Sequence, residues 1–253
     1  MKIIKTPDEW QTIRRQLPPE ETLGFVPTMG SLHAGHRTLI EASQKANQHT
    51  IVSIFVNPTQ FNNADDFAYY PRNLDQDCAL LEEAGVQYCF VPDENGMYPD
   101  QYHYQVHEHQ LSKIMEGQHR PGHFTGVLTV VLKLFNCIRP HRAYFGEKDY
   151  QQYLLIRDMT KAFLMDLEIV ACPIVREPSG LAYSSRNSRL SPEERLLADT
   201  FAHIFHQGTT CSEIRAKLEE KGIQVDYIQD EMARRFAAVT IGQIRLIDNI
   251  PLI

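Results

Sequence analysis

The sequence predicts an α/β protein, with a parallel sheet flanked by helices and a small C-terminal α+β domain. Residues 50–56 (TIVSIFV) are nearly all apolar and often β-branched, which is typical of a strand buried on both faces. A shorter apolar stretch at residues 23–27 precedes it. Residues 35–47, between the two stretches, have apolar side chains at helical spacing. A strand–helix–strand unit of this kind implies a parallel sheet with a right-handed crossover.

The same alternation continues along the chain and predicts the remaining elements in order. Further helices are predicted at residues 7–17, 74–84, 107–115, 124–138 and 150–163, and further strands at residues 86–91, 142–145 and 167–175. The composition changes near Arg176, so we place a domain boundary between Val175 and Arg176. Residues 191–194 (SPEE) have capping-box spacing and open a helix that ends near residue 208. After it we predict a helix at 212–222 and strands at 225–229, 237–241 and 243–247.

Composition and missing motifs exclude several classes of protein. The net charge of −7 argues against a general nucleic-acid binder, which needs a basic surface. Five scattered cysteines without a CxxC pair indicate neither a zinc ribbon nor a disulfide framework. G-x-G-x-x-G, G-x-x-x-x-G-K-[ST] and G-x-S-x-G are absent, which argues against nicotinamide dehydrogenases, P-loop enzymes and serine hydrolases. Without a signal-peptide core or a run of about 18 apolar residues, we expect a cytoplasmic protein with no membrane segment.

The segment from Phe25 to His36 (FVPTMGSLHAGH) is the strongest candidate for a binding site. It runs from a predicted strand, through a turn of small residues, to two histidines at the start of a predicted helix. Backbone N–H groups at a helix N-terminus attract anions, and imidazoles there can donate to phosphate oxygens. The alternatives are one capping and one surface histidine, or a zinc pair for which no third ligand stands out. We predict a phosphate site at His33 and His36.

Two later loops carry further groups suited to a nucleotide. In residues 146–149 (GEKD), Lys148 can meet phosphate as a point charge, while Asp149 suits a ribose hydroxyl or a helix cap. Residues 184–187 (SSRN) combine hydroxyls with a guanidinium at the predicted domain junction. They either close over a triphosphate or form a polar linker.

Carboxamides near strand ends suit a small substrate that carries hydroxyl and carboxylate groups. Asn57 and Gln60 follow the strand at 50–56, and residues 151–152 (QQ) follow the lysine loop. Asp75 and Asp77 lie at the start of a predicted helix, where they are either helix-start charges or linked to magnesium.

Taken together, these motifs resemble one enzyme family. The His-x-Gly-His corner and the Ser-Ser-Arg-Asn loop are similar to those of the nucleotidylyl-transfer superfamily, which includes class I aminoacyl-tRNA synthetases. Six motifs in their order along the chain resemble, more specifically, those of the pantothenate synthetase (pantoate–β-alanine ligase) family. The motifs are PTMG with HAGH at 27–36, SIFVNPTQF at 53–61, YPR at 70–72, RPGHF at 120–124, FGEKD with QQ at 145–152, and SSRN at 184–187. They cover about residues 1–190, and RLIDN at 245–249 is similar to the family's C-terminal strand.

The resemblance implies a Rossmann-like fold and a two-step reaction. In the first step (R)-pantoate attacks the α-phosphate of ATP, with Mg²⁺ present, and gives pantoyl adenylate and pyrophosphate. In the second step β-alanine attacks the activated carbonyl and releases pantothenate and AMP. The resemblance further implies that residues 1–175 bind ATP and pantoate, that residues 176–253 form a lid, and that the protein is a homodimer.

The resemblance also implies roles for individual residues. The implied ATP-binding residues are Met29, Gly30, Ser31, Leu32, His33, Ala34, Gly35, His36, Gly146, Glu147, Lys148, Asp149, Val175, Tyr183, Ser184, Ser185 and Arg186. The implied catalytic residues among them are His33, His36, Lys148, Ser184, Ser185 and Arg186, with His36 as proton donor. Gln60, Gln152 and Asn57 would bind pantoate and β-alanine. The resemblance names no magnesium ligand.

Two features depart from the family pattern. Tyr183 stands where the family usually has Leu or Met, and its ring bears on loop closure and the adenine pocket. The C-terminal domain is shorter than is usual for the family. Two other functions stay open: a small-molecule adenylyltransferase of the same fold that stops at a nucleotidylated product, and an inactive nucleotide-binding or scaffold protein.

Overall fold

The computed structural model describes residues 1–252, and the chain divides into two compact units. The N-terminal unit comprises Met1–Leu32, His36–Glu147 and Gln151–Cys172. The C-terminal unit comprises the chain from Pro173 onward together with two short pieces, His33–Gly35 and Lys148–Tyr150. Each piece contains part of a predicted phosphate motif, so those motifs do not belong to one unit alone.

The N-terminal unit is built on a six-stranded sheet with the order β1-β4-β3-β2-β5-β6 and parallel pairing throughout. Its strands are β1 (Lys2–Ile4), β2 (Leu23–Thr28), β3 (His49–Ile54), β4 (Tyr88–Phe90), β5 (Arg142–Gly146) and β6 (Glu168–Cys172). The flanking helices are α1 (Pro7–Arg14), α2 (Ala34–Ala46), α3 (Ala64–Ala68), α4 (Leu74–Glu83), α5 (Glu94–Met97), α6 (Glu116–His119), α7 (His123–Ile138) and α8 (Tyr150–Ala162). The predicted Rossmann-like parallel sheet is confirmed.

Both faces of this sheet are covered. Side chains alternate along a strand, so neighbouring residues point to opposite faces. Phe25 and Ile51 pack in one apolar cluster, whereas the next residues, Val26 and Val52, pack in another. The first cluster also contains most of α7, whose Phe135 ring meets Phe25 edge-on at a centroid distance of 6.3 Å. The near-continuous apolar sequence of β2 and β3 follows from this double burial.

The C-terminal unit contains two helices and an antiparallel sheet. Its elements are α9 (Pro192–Gln207), α10 (Cys211–Glu220), β7 (Gln224–Glu231), β8 (Arg234–Ile241) and β9 (Ile244–Pro251). The predicted capping box is present, since Ser191 and Glu194 each bond the backbone N–H of the other. Phe201, Phe205 and Val239 lie in the core of this unit. The predicted small α+β domain is therefore confirmed as a fold.

One local prediction fails, and several short elements were not predicted. The helix predicted at 107–115 is wrong, because only Leu111–Lys113 forms a 3-10 turn. The Glu108 carboxylate accepts the N–H groups of Gln110 at 2.8 Å and Ser112 at 2.6 Å, which gives the backbone an alternative to helical bonding. The short helices α3, α5 and α6 and the three-residue strand β1 were not predicted, because elements so short have no readable period. None of the helices within residues 1–252 is long and apolar enough to cross a membrane.

Candidate active site

The strand order places a topological switch point between β2 and β5. Strands β3 and β4 continue the sheet on one side of β2, and β5 and β6 continue it on the other. In sheets of this kind, ligands bind outside the carboxyl ends of the strands at the switch point. β2 ends at Thr28 and β5 ends at Gly146, and the segments that follow them carry the predicted HAGH and GEKD motifs.

A buried carboxylate from α4 fixes the loop that follows β2. The N–H of Ser31 donates to Asp77 Oδ2 at 2.8 Å, and the N–H of Leu32 donates to Asp77 Oδ1 at 2.7 Å. Gly30 has φ of +78°, and a Cβ at this position would lie 2.9 Å from Asp77 Oδ2. Conformation and space both require glycine there. Two N–H groups of the predicted phosphate loop are thus already bound by the protein itself.

Asp77 is an anchor of the predicted phosphate loop whose use the sequence did not reveal. Its side chain is buried, and burial raises its pKa even though the hydrogen bonds from Leu32 and Ser31 favour the ionised form. The sequence left open a helix-start charge or a magnesium-linked role. The structure adds a third use, because both carboxylate oxygens hold the loop after β2. No local sequence signal joins positions 46 residues apart.

His33 is held as a neutral imidazole. Its Nδ1 accepts the N–H of Gly35 at 3.1 Å, which leaves the ring proton on Nε2. Burial, and then the nearby charge of Lys148, lower the pKa of His33 to about 4, against a smaller opposing effect of Asp149. The Tyr183 ring stacks on the imidazole with centroids 6.0 Å apart and an interplanar angle of 21°. At neutral pH, His33 is therefore a fixed Nε2–H donor.

Lys148 lies in a 3-10 helix, Glu147–Asp149, that joins β5 to α8. Its Nζ is 3.7 Å from Asp149 Oδ2, which is a long ion pair, and its side chain is 21% exposed. Its backbone oxygen accepts a hydrogen bond from Asn249 Nδ2 at 2.9 Å. The C-terminal unit thus brings His33, Lys148 and Tyr183 together.

Met29, Asn57 and Gln60 form a second group, within the N-terminal unit. Asn57 Nδ2 donates to Gln60 Oε1 at 3.0 Å, and Gln60 Nε2 donates to the sulfur of Met29 at 3.1 Å. Asn57 is anchored in turn, since its Oδ1 accepts the hydroxyl of Tyr98 at 2.7 Å. Gly126 allows this arrangement, because a Cβ there would lie 2.4 Å from the carbonyl oxygen of Thr59. The predicted carboxamides at 57 and 60 are therefore adjacent and oriented.

The two glutamines at the start of α8 differ in use. Gln151 is buried and serves the backbone: its Nε2 donates to the carbonyls of Leu111 and Ile114, and its Oε1 accepts the N–H of Glu116. It anchors residues 111–116. Gln152 is partly exposed. Of the predicted pair, Gln152 is the one whose side chain is not committed to that segment.

The SSRN segment forms a 3-10 helix, Ser185–Arg189, in the C-terminal unit. Ser184 Oγ accepts the N–H of Arg186 at 3.3 Å, so Ser184 caps this turn. Asn187 Nδ2 donates to Glu177 Oε1 at 2.8 Å and to the carbonyl of Ala182 at 3.1 Å, which ties the turn to the preceding chain. Nearby, the N–H of Tyr183 donates to the carbonyl of Val175 at 3.1 Å, so two predicted ATP contacts pair through their backbones.

The predicted residues divide between the units. The N-terminal unit contains Met29 to Leu32, His36, Asn57, Gln60, Gly146, Glu147 and Gln152. The C-terminal unit contains His33 to Gly35, Lys148, Asp149, Val175 and Tyr183 to Arg186.

Comparison with known proteins gives one consistent result. The family model for pantoate–β-alanine ligase matches residues 2–251. A pantothenate synthetase from Legionella pneumophila (strain Corby) is 58% identical over 249 residues, which is 98% of this chain and 99% of the relative. A pantothenate synthetase from Coxiella burnetii (strain Dugway 5J108-111) is 51% identical over 250 residues, which is 99% of this chain and 96% of the relative. Because these relatives align over nearly their whole length, the C-terminal unit is not short in comparison with them.

Solved structures agree. A pantoate–β-alanine ligase from Francisella tularensis, complexed with β-γ ATP and β-alanine, superposes with a TM-score of 0.96 at 42% identity. That match covers 99% of this chain and 97% of the other. A pantothenate synthetase from Thermus thermophilus superposes with a TM-score of 0.89 at 41% identity and covers 99% of each chain.

Proposed function

The chain belongs to the pantoate–β-alanine ligase family, and on this premise we propose that it condenses (R)-pantoate with β-alanine in an ATP-dependent reaction. In the first step a carboxylate oxygen of pantoate bonds to the α-phosphorus, and pyrophosphate leaves. In the second step the amine of β-alanine attacks the carbonyl carbon of pantoyl adenylate, and AMP leaves with the bridging oxygen. The product is pantothenate, a coenzyme A precursor.

The observation that carries this proposal is the arrangement of His33, whose Nδ1 accepts the N–H of Gly35 at 3.1 Å, with Lys148, whose charge helps to lower the pKa of the imidazole. The first step needs no enzyme nucleophile, so the protein acts by positioning its substrates and by stabilising charge on the phosphate oxygens. A fixed Nε2–H and a point charge are suited to this work. His36 stands one helical turn after His33 and is proposed as the proton donor to the departing pyrophosphate.

We propose that the rest of the ATP site comes from the segments after β2 and β5, from Val175 and from Tyr183 to Arg186. Ser31 and Leu32 direct their N–H groups to Asp77, so in this segment the imidazoles and the start of α2 meet the phosphates. The hydroxyls of Ser184 and Ser185 and the guanidinium of Arg186 bind phosphate oxygens by charge-assisted hydrogen bonds.

Gln60 is the proposed centre of the pantoate and β-alanine site, with Asn57 and Gln152. Gln60 Nε2 donates to a thioether sulfur, which is a weak acceptor. A substrate hydroxyl or carboxylate oxygen accepts that hydrogen bond better than Met29 does. Asn57 holds Gln60 Oε1, so the amide needs little reorganisation when substrate binds.

Magnesium is proposed to arrive with the nucleotide. Within residues 1–252, no group of three or more His, Cys, Asp or Glu side chains is arranged to hold a metal ion. Nucleotide-dependent enzymes commonly hold Mg²⁺ through substrate phosphates with one or two carboxylates.

Three further properties complete the proposal: the C-terminal unit acts as a lid, the active protein is a homodimer, and it works in the cytoplasm. A lid excludes water, which would hydrolyse the mixed anhydride of pantoyl adenylate. The five cysteines are free thiols, in keeping with a reducing compartment. Light scattering coupled to gel filtration tests the dimer, and a mass of one chain would contradict it.

A coupled assay of AMP release tests the function. We expect pyrophosphate from ATP and pantoate alone, and AMP only when β-alanine is added. AMP release without β-alanine, or pyrophosphate release that needs no pantoate, would contradict the proposal. A protein that binds ATP and forms no pyrophosphate would support the inactive alternative instead.

A further inference from the structure

The last strand of the C-terminal sheet reaches the turn that carries Lys148. Asn249, on β9, donates from its side-chain amide to the carbonyl oxygen of Lys148 at 2.9 Å, across 101 residues of sequence. Asn249 is 1% exposed. Because the donor Asn249 is buried, replacing it would leave the Lys148 carbonyl without this partner, so the hydrogen bond restrains the peptide group of the lysine itself.

Asn249 is itself fixed on the other side of its amide. Its side-chain Oδ1 accepts a hydrogen bond from Arg234 Nε at 2.7 Å. Its backbone N–H donates to Asp248 Oδ1 at 2.7 Å. Asp248 in turn binds the guanidinium of Arg176 through two hydrogen bonds of 2.6 and 2.9 Å. The side-chain amide of Asn249 therefore has one orientation, with Nδ2 toward the carbonyl oxygen of Lys148.

The same sheet holds the residue two positions after the lysine. The Arg234 guanidinium lies 4.3 Å from the ring centroid of Tyr150, a cation–π distance. The Phe236 ring lies 6.2 Å from the same ring. Strands β8 and β9 thus hold Lys148–Tyr150 through a backbone oxygen and a side-chain ring, which explains why this piece belongs to the C-terminal unit.

We propose that Asn249 is a positioning residue for Lys148, so that the C-terminal sheet sets the place of the lysine in the reaction. The inference rests on the proposed function, in which Lys148 meets the phosphates. In this role Asn249 acts through the backbone of Lys148 and not on a reacting atom. Without it the turn relaxes, and the ammonium group no longer meets the transition state at the productive distance.

The test measures pyrophosphate release from ATP and pantoate by Asn249→Ala and Asn249→Asp. Both variants lack the donor to Lys148, and Asn249→Asp keeps the shape and the contact with Arg234. We expect kcat to fall about 10-fold or more, while KM for pantoate stays within about twofold. The matched control is Arg235→Gln, because Arg235 is a buried polar residue of β8 that binds Asp230 and the carbonyl of Gly208. It should lower thermal stability without lowering kcat.

A double-mutant cycle with Lys148→Ala separates positioning from general stability. We expect Asn249→Ala to change kcat by less than about twofold once Lys148 is already Ala, because the two residues act as one unit. An equal loss in both backgrounds, or wild-type kcat in both Asn249 variants, would overturn the inference alone. Wild-type kcat in Lys148→Ala would overturn the proposed role of Lys148 and, with it, this inference. If Asn249→Ala does not fold, Asn249→Asp is carried through the same cycle.

Discussion

Two loops follow the neighbouring strands β2 and β5, and each is held by a hydrogen-bonding group of the opposite kind, an acceptor in the first and a donor in the second. After β2, the loop turns backbone N–H groups inward, and the carboxylate of Asp77 accepts two of them. After β5, the turn offers the carbonyl of Lys148, and the carboxamide of Asn249 donates to it. The chemistry of each partner follows from the backbone group that needs to be satisfied.

The difference has an electrostatic consequence. Asp77 places a buried carboxylate behind the first loop, and burial raises its pKa. Asn249 is neutral, so it holds the second loop without setting a negative charge beside Lys148. A carboxylate behind a loop weakens anion binding there, whereas a neutral anchor adds no further negative charge to the long ion pair that Lys148 forms with Asp149. Under the proposed function, the first loop supplies shape and the imidazoles, and the second loop supplies the positive charge of Lys148.

Removing either proposed phosphate donor should have the largest effect. We expect Lys148→Ala and His36→Ala each to lower kcat about 10²–10³-fold, because each removes one donor to the transition state. Unfolding midpoints should stay near that of the wild type. Lys161→Ala is the matched control, since Lys161 is an exposed lysine on α8. Steady-state kinetics measure the effect, and unchanged turnover in both variants would contradict the proposed roles of Lys148 and His36.

Removing the carboxylate anchor should act on stability as well as on turnover. Asp77→Ala leaves the N–H groups of Ser31 and Leu32 without their partner, and we expect the free energy of unfolding to fall by about 3 kcal/mol. Asp77→Asn keeps one acceptor and should lose about half as much. Urea unfolding measures both, with the exposed Asp75→Asn as control. Stability equal to the wild type in Asp77→Ala would show that the loop does not depend on this anchor.

The imidazole of His33 should titrate far below a free histidine. Its folded pKa is about 4, below the ordinary value of 6.5, so the unfolded chain binds more protons between these values. The stability that neutral His33 contributes is therefore fully present above about pH 6.5 and is lost as the pH falls through about 4. NMR titration of the ring measures this pKa directly. A His33 resonance that titrates near 6.5 would contradict the assignment of a partly buried, neutral imidazole.

The smallest effect is expected from the ring that stacks on His33. Tyr183→Leu keeps an apolar side chain and removes the stacked ring, so water gains access to the imidazole. We expect the pKa of His33 to rise by less than about one unit, and KM for ATP to change only a few-fold. Tyr183→Phe keeps the ring and should match the wild type in both measurements. A larger effect of Phe than of Leu would assign the role to the hydroxyl instead.

Local patterns in the sequence were enough for the framework. The apolar run at 50–56, the periodic segment at 124–138 and the capping box at Ser191 correspond to β3, α7 and the start of α9. Each depends on residues within one element, where burial on two faces or a cap leaves a readable trace. The turn at Glu108 left no such trace, because its side-chain hydrogen bonds compete with a helix only once they form.

Local sequence patterns could not predict the two residues that hold the loops of the candidate site, Asp77 and Asn249. The ordered motifs indicated a phosphate site at His33 and Lys148, because those residue types follow strands at fixed spacing. Asp77 and Asn249 reach their partners across 46 and 101 residues, and the fold alone brings them there. Gln151 shows the converse. Its position in the sequence predicts a carboxamide that binds substrate, yet its side-chain amide binds the backbone of residues 111–116.

The fate of one oxygen atom tests the central claim most directly. Pantoate labelled with ¹⁸O in its carboxylate is converted with ATP and β-alanine, and the products are analysed by mass spectrometry. If the carboxylate attacks the α-phosphorus and the amine then displaces AMP, each AMP carries one labelled oxygen. Unlabelled AMP, or ADP in place of AMP, would contradict the pantoyl-adenylate route and the roles assigned to His33 and Lys148.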